Sequence, residues 1–222
     1  MLVIAHRGAS GAETENSLAA FRAAIDLGAD AIELDVHATT DGSVVVHHLE
    51  TVGDAHIPTS PLERVRQQRL PNGEHVPTLS EVLELLGKGP TVFVEVKTLD
   101  AGHDTALLEA IAAGPTPESY HVHSFDHRIV RRLLHAREGL VGRVLSASYP
   151  LNPLIQLEQS GATELWQSQE LLDDELVAAV HAFGARIIPW TVNDPARMEE
   201  FIDMGVDGIC TNYPDRLRKL LS

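Results

Sequence analysis

Short apolar, β-branched runs alternate with stretches of helical spacing along the whole chain. Period-2 or continuous apolar patterns predict strands near Leu2–Ala5, Ala31–Val36, Val92–Lys97, Tyr120–Ser124, Arg143–Ala147, Thr163–Gln167, Arg186–Thr191 and Asp207–Thr211. Between them, apolar residues at helical spacing (Leu18, Phe21, Ile25; Leu83, Leu86) predict helices. Further helices are expected over Thr105–Ala113, Arg128–Ala136, Asp174–Phe183 and Pro195–Met204. Start signals stand at Asn16, Ser80 and Asp194-Pro195, and stop glycines at Gly28, Gly87, Gly184 and Gly205. Strands joined by helices run parallel, and eight is the number that closes a (β/α)₈ TIM barrel. Strand starts are 20–29 residues apart except for one interval of 61, which holds an insertion, a β-hairpin and loop over about residues 41–77. The expected organisation is one domain over residues 1–222. The rival, an open doubly wound sheet, lacks its glycine signature, since His6-Arg7-Gly8-Ala9 follows the first strand.

The polar faces of two strands change the picture. In Ala31–Val36, Ile32, Leu34 and Val36 share one face, and Glu33 and Asp35 the other. In Val92–Lys97, the valines oppose Phe93, Glu95 and Lys97. The apolar faces must meet the helices, so the carboxylates point into the barrel mouth. Three acids in a partly dehydrated space need a cation or several hydrogen-bond donors. Oxygen-only ligands suit Mg²⁺ or Ca²⁺. An edge strand with a solvated face is the bland alternative. The Asp41-Gly42 hairpin signal, with those two as turn residues, pairs Thr40 with Ser43 and sets Asp35 opposite His48, turning His48 toward the acids and His47 away. His6 ends the first strand beside Arg7, which with Lys97 is a natural donor to a phosphate, while Gly8 permits close backbone approach.

Composition narrows the classes. The chain has 222 residues, a formal net charge of −15 and one cysteine, Cys210. That excludes a disulfide framework and a multi-cysteine zinc site, and argues against nucleic-acid or anionic-membrane binding. No run of 18 apolar residues occurs, so stable membrane insertion is not expected, and the start has no secretory pattern. A cytoplasmic protein is expected. Trp166 and Cys210 read as core, and Asp173-Asp174-Glu175 as a helix start.

The chain resembles the glycerophosphodiester phosphodiesterase family nearly end to end. The resemblance rests on His6-Arg7-Gly8, Glu15-Asn16-Ser17, Glu33-Leu34-Asp35-Val36, Thr40-Asp41-Gly42 with His47-His48, Val76-Pro77-Thr78-Leu79, Glu95-Val96-Lys97, Ser124-Phe125-Asp126, Trp190-Thr191-Val192-Asn193 and Asp207-Gly208-Ile209 with Asn212-Tyr213-Pro214-Asp215. It implies a (β/α)₈ barrel that hydrolyses glycerophosphodiesters to glycerol 3-phosphate and an alcohol. It implies catalytic roles for His6 and His48, a divalent metal, Mg²⁺ or Ca²⁺, on Glu33, Asp35 and Glu95, phosphate contacts from Arg7 and Lys97, and an aromatic mouth residue at Trp190. The chain departs from the family at Thr14, where Pro is usual, at Leu49, where Asp is frequent, and at Asn212, where Asp is common. Two other functions stay open: a metal hydrolase of the amidohydrolase kind using His121-Val122-His123, and a non-catalytic barrel that binds phosphorylated ligands.

Overall fold

The computed structural model describes residues 1–222. Eleven strands form: β1 Leu2–His6, β2 Ala31–Ala38, β3 Val44–Val46, β4 Thr51–Val52, β5 Ala55–His56, β6 Thr91–Thr98, β7 Tyr120–Ser124, β8 Val141–Ser146, β9 Glu164–Ser168, β10 Arg186–Trp190 and β11 Gly208–Thr211. Nine α-helices accompany them: α1 Leu18–Asp26, α2 Leu62–Arg66, α3 Leu79–Leu86, α4 Asp104–Ala113, α5 His127–Ala136, α6 Ile155–Ser160, α7 Asp174–Ala182, α8 Pro195–Met204 and α9 Pro214–Leu220. All eight expected strands are present and parallel, in the order β10-β9-β8-β7-β6-β2-β1-β11. Two backbone hydrogen bonds join the ends of that order, from Asp207 N–H to the Ile187 carbonyl (3.1 Å) and from Val192 N–H to the Cys210 carbonyl (2.9 Å). The sheet is a nearly closed (β/α)₈ barrel.

The strand faces sort by depth. Ile32, Leu34, Val36, Val92, Val94 and Val96 face outward into a buried layer shared with α1, α3 and α4. Inside, Ile4, Ala31, Phe93, Leu145, Trp166, Ile188 and Cys210 form an apolar middle layer. That layer plugs the barrel and confines the charged residues of β2 and β6 to its upper end. Trp166 and Cys210 are core, as expected. No helix is long and apolar enough to cross a membrane.

Local signals account for most helix boundaries. Asp194 caps α8 and Gly205 ends it with φ +78°. Two starts differ from expectation. α1 is capped by Ser17, whose hydroxyl accepts from Ala20 N–H, which releases Asn16 for another partner. α3 is capped by Thr78 in a reciprocal pair with Glu81, two residues before Ser80. The chain between β3 and α3 carries the β4–β5 hairpin and α2 around a small core of Val45, Val52, Ile57, Val65 and Val76.

The hairpin register is one residue from the expected one. Val36 pairs with Val46 and Ala38 with Val44, so Thr39 rather than Thr40 faces Ser43, and its N–H donates to the Ser43 carbonyl. Three residues, not two, make the turn. The ladder therefore sets His47 opposite Asp35, and its N–H donates to the Asp35 carbonyl at 3.0 Å.

Candidate active site

Register brings the charged residues together. β1 and β2 place His6 beside Glu33, and β2 and β6 place Asp35 beside Glu95. Carboxylate oxygens of Glu33, Asp35 and Glu95 all lie within 4.8 Å of one another. His6, Arg7, Glu33, His48, Glu95, Lys97, His123 and Trp190 line one cavity at the upper end of the barrel. His48 reaches it by a route other than the expected ladder. Regular β3 ends at Val46, and the bend that follows turns His48 inward while the His47 ring meets the Leu49 carbonyl at 2.8 Å.

The carboxylates are unequally compensated. Asp35 is fully buried and is met by Arg7 Nε at 3.0 Å, Lys97 Nζ at 3.1 Å and Asn16 Nδ2 at 2.8 Å. Burial alone would raise its pKa, but Arg7, Lys97 and the Asn16 hydrogen bond hold it below the usual carboxylate range. Glu95 takes Lys97 Nζ at 2.7 Å, yet burial and the Asp35 charge push it up to about 7. Glu33 accepts the Arg7 backbone N–H at 3.0 Å on one oxygen, and its Oε1 is buried with no partner. Burial, then Asp35 and Glu95, drive Glu33 well above the ordinary value. The three side chains fit a divalent cation. They offer oxygen ligands only, one of them is an orphan, and two resist ionisation unless positive charge is added.

Two histidines flank this cluster. His6 Nδ1 lies 2.6 Å from Asn212 Oδ1. With that oxygen as acceptor, Nδ1 carries the proton and Nε2 presents its lone pair to the cavity, 3.9 Å from Glu33. Burial and Arg7 lower His6 to about 4, which keeps the ring neutral. His48 is less buried. Its Nδ1 lies 3.9 Å from Glu15, whose other oxygen holds Arg7 Nη1 at 2.9 Å. The loop between them is held in an unusual backbone shape. Arg7 and Asn16 both take left-handed conformations (φ +55° and +56°), and Asn16 N–H closes the neck onto the Arg7 carbonyl at 3.0 Å. Trp190 stands at the mouth against Phe125, ring centres 5.3 Å apart, its indole N–H donating to the Trp166 carbonyl.

All eight site residues expected from the sequence meet here. Reasoning from residue types missed four others. Asn16 and Asn212 stand inside recognised motifs, but nothing in their sequence position reveals that one orders Asp35 and the other His6. Phe125 follows Ser124 in such a motif and gives no pattern of its own. The sequence sets His123 beside His121 in a His-x-His pair, and the structure splits them: His121 Nδ1 accepts from Arg143 Nη2 at 3.2 Å, away from the Glu33–Asp35–Glu95 cluster, whereas His123 Nε2 lies 3.9 Å from Glu33. No group of metal-ligating residues includes His121, so the His-x-His hydrolase reading has no support in the geometry.

Known proteins resemble the chain over nearly its whole length. Residues 6–216 match the model of the glycerophosphoryl diester phosphodiesterase family. A glycerophosphodiester phosphodiesterase from Caldanaerobacter subterraneus is 36% identical, covering 99% of this chain and 97% of that protein. The crystal structure of a glycerophosphodiester phosphodiesterase from Parabacteroides distasonis superposes with a TM-score of 0.90 at 28% identity, covering 99% of this chain and 96% of that one. An Oleispira antarctica phosphodiesterase, solved with the product sn-glycerol-3-phosphate, shares the fold with a TM-score of 0.92 at 23% identity, covering 98% and 95%. The chain belongs, as a phosphodiesterase, to the glycerophosphoryl diester phosphodiesterase family.

Proposed function

We propose that this chain is a cytoplasmic enzyme that hydrolyses glycerophosphodiesters to glycerol 3-phosphate and an alcohol, with residues 1–222 acting as one barrel domain and about 41–77 as its insertion. The observation that carries the reading is the convergence of two histidines, two cations and three carboxylates on one cavity. The relatives' names, and the sn-glycerol-3-phosphate held by the Oleispira protein, support the substrate class.

Glu33, Asp35 and Glu95 would hold a divalent cation, Mg²⁺ or Ca²⁺. Bound there, it supplies charge neutralisation at the phosphoryl oxygens. Arg7 and Lys97 add the rest of that charge, Arg7 as a planar donor and Lys97 as a point charge. His6, neutral and with Nε2 free, takes the proton of the attacking group, which is the glycerol 2-hydroxyl or a water. His48, which lines the same cavity, is the acid that protonates the departing alcohol. Trp190 and Phe125 give the cavity an apolar wall for carbon atoms of the substrate. The test replaces each histidine in turn. His6→Ala and His48→Ala are each expected to lower release of glycerol 3-phosphate from glycerophosphocholine by about 10²–10⁴-fold. Turnover within a few-fold of the wild type in either variant refutes the two-histidine scheme.

A further inference from the structure

His123 has no task in the reaction just described, yet it sits on the floor of the same cavity. It is 1% exposed and neither ring nitrogen has a hydrogen-bond partner. Packing alone sets its orientation: the ring stands edge-on to Trp166, centres 4.6 Å apart, and tilted against Phe93 at 6.2 Å. In the β6–β7 register it is the partner of Glu95. Its Nε2 faces Glu33 Oε1 at 3.9 Å, and that oxygen is the other orphan of the site. Two unpaired polar groups facing each other in a dry space destabilise the fold, and an aliphatic side chain could pack against Phe93 and Trp166 without burying a ring nitrogen unpaired. A destabilising arrangement beside a ligand cluster is the signature of a functional constraint.

We propose that His123 is a positioning residue for Glu33. Its Nε2–H restrains Oε1, while the Arg7 backbone N–H restrains Oε2, so that the carboxylate meets the cation in one orientation together with Asp35 and Glu95. The inference rests on the divalent-cation reading above. Ligating carboxylates need such outer partners, and losing one weakens metal binding by about 10–100-fold.

The experiment uses the chelator-stripped full chain, titrated calorimetrically with Mg²⁺ alone and with Ca²⁺ alone, as wild type, His123→Leu and His123→Gln. Melting without metal is recorded for all three. The Leu variant is expected to bind about 10–100-fold more weakly. The Gln variant, which keeps an N–H donor near the same place, should return to within a few-fold of wild type. Without metal, the Leu variant should melt at or above the wild-type temperature, because an orphaned polar group has gone. Wild-type affinity in the Leu variant, a Gln variant as weak as Leu, or a Leu variant that unfolds or melts well below wild type would each overturn the proposal. A wild type that binds neither ion removes the cation reading, and this inference with it. Binding by the wild type with unchanged affinity in the Leu variant defeats the inference alone.

Discussion

At the scale of single residues, the site is built from side chains that are costly to place. Asp35 stays charged only because Arg7, Lys97 and Asn16 surround it, whereas Glu33, with the Arg7 backbone N–H, and Glu95, with Lys97 alone, are compensated less and are pushed upward. Arg7 can reach Asp35 because the chain turns sharply at Gly8. Gly8 has φ +77°, and a β-carbon there would lie 2.6 Å from the Ala20 carbonyl carbon. Both the conformation and the close approach require glycine. Gly8→Ala is therefore expected to destabilise the protein by about 2 kcal/mol or more. For a chain of this size, that lowers the melting temperature by roughly 4–8 °C. A melting temperature unchanged within 1 °C, or about that, in a calorimetric scan contradicts the strain argument. The acids and cations themselves were legible, because alternation assigns them a face. Their neighbours Asn212 and His123 were not, since each lies far along the chain from the residue it meets, His6 or Glu33, and only the order of strands in the sheet brings them near.

At the scale of elements, eight strands could be read because each is a short, mostly apolar or alternating run set off by helical patterns. The short helices α2 and α6 have no side-chain cap and only five and six residues, too few to show an apolar stripe. α9 opens at Pro214 inside a recognised motif, which gives its start but not its extent. The β2–β3 hairpin shows how a right residue can be reached by wrong geometry. Asp41-Gly42 marks the turn correctly, yet Thr40 joins it and the register moves by one. By ladder alone His47 would face the acids. Thr39 explains the extra residue, since its hydroxyl holds both Asp41 and the Ser43 carbonyl across the wider turn. The bend after Val46 then restores His48 to the cavity, and no periodicity in the sequence encodes that bend.

At the scale of the whole molecule, the barrel separates two charged ends by an apolar middle. The lower end holds Glu164 between Arg143 Nε and Arg186 Nη2, each at 2.8 Å, with the Trp166 indole N–H also donating to it. His121 accepts from Arg143 there, and burial, then Arg143 and Arg186, lower it to about 3 from an ordinary 6.5. Its folded value lies below its unfolded one, so the unfolded chain takes up the proton first. The stabilisation from a neutral His121 is complete above about pH 6.5 and is lost as pH falls toward 3. Urea midpoints should therefore drop between pH 6.5 and 4, and His121→Gln, which keeps an acceptor for Arg143, should drop less over that window. Equal slopes for the two proteins contradict this role for His121. The upper end carries the central claim, that three carboxylates hold a divalent cation where two histidines cleave a phosphodiester. Its most direct test is release of glycerol 3-phosphate from glycerophosphocholine, -ethanolamine and -inositol by the metal-stripped enzyme. The account predicts no release in chelator and recovery on adding Mg²⁺ or Ca²⁺ with at least one of these substrates; full release in chelator would contradict it.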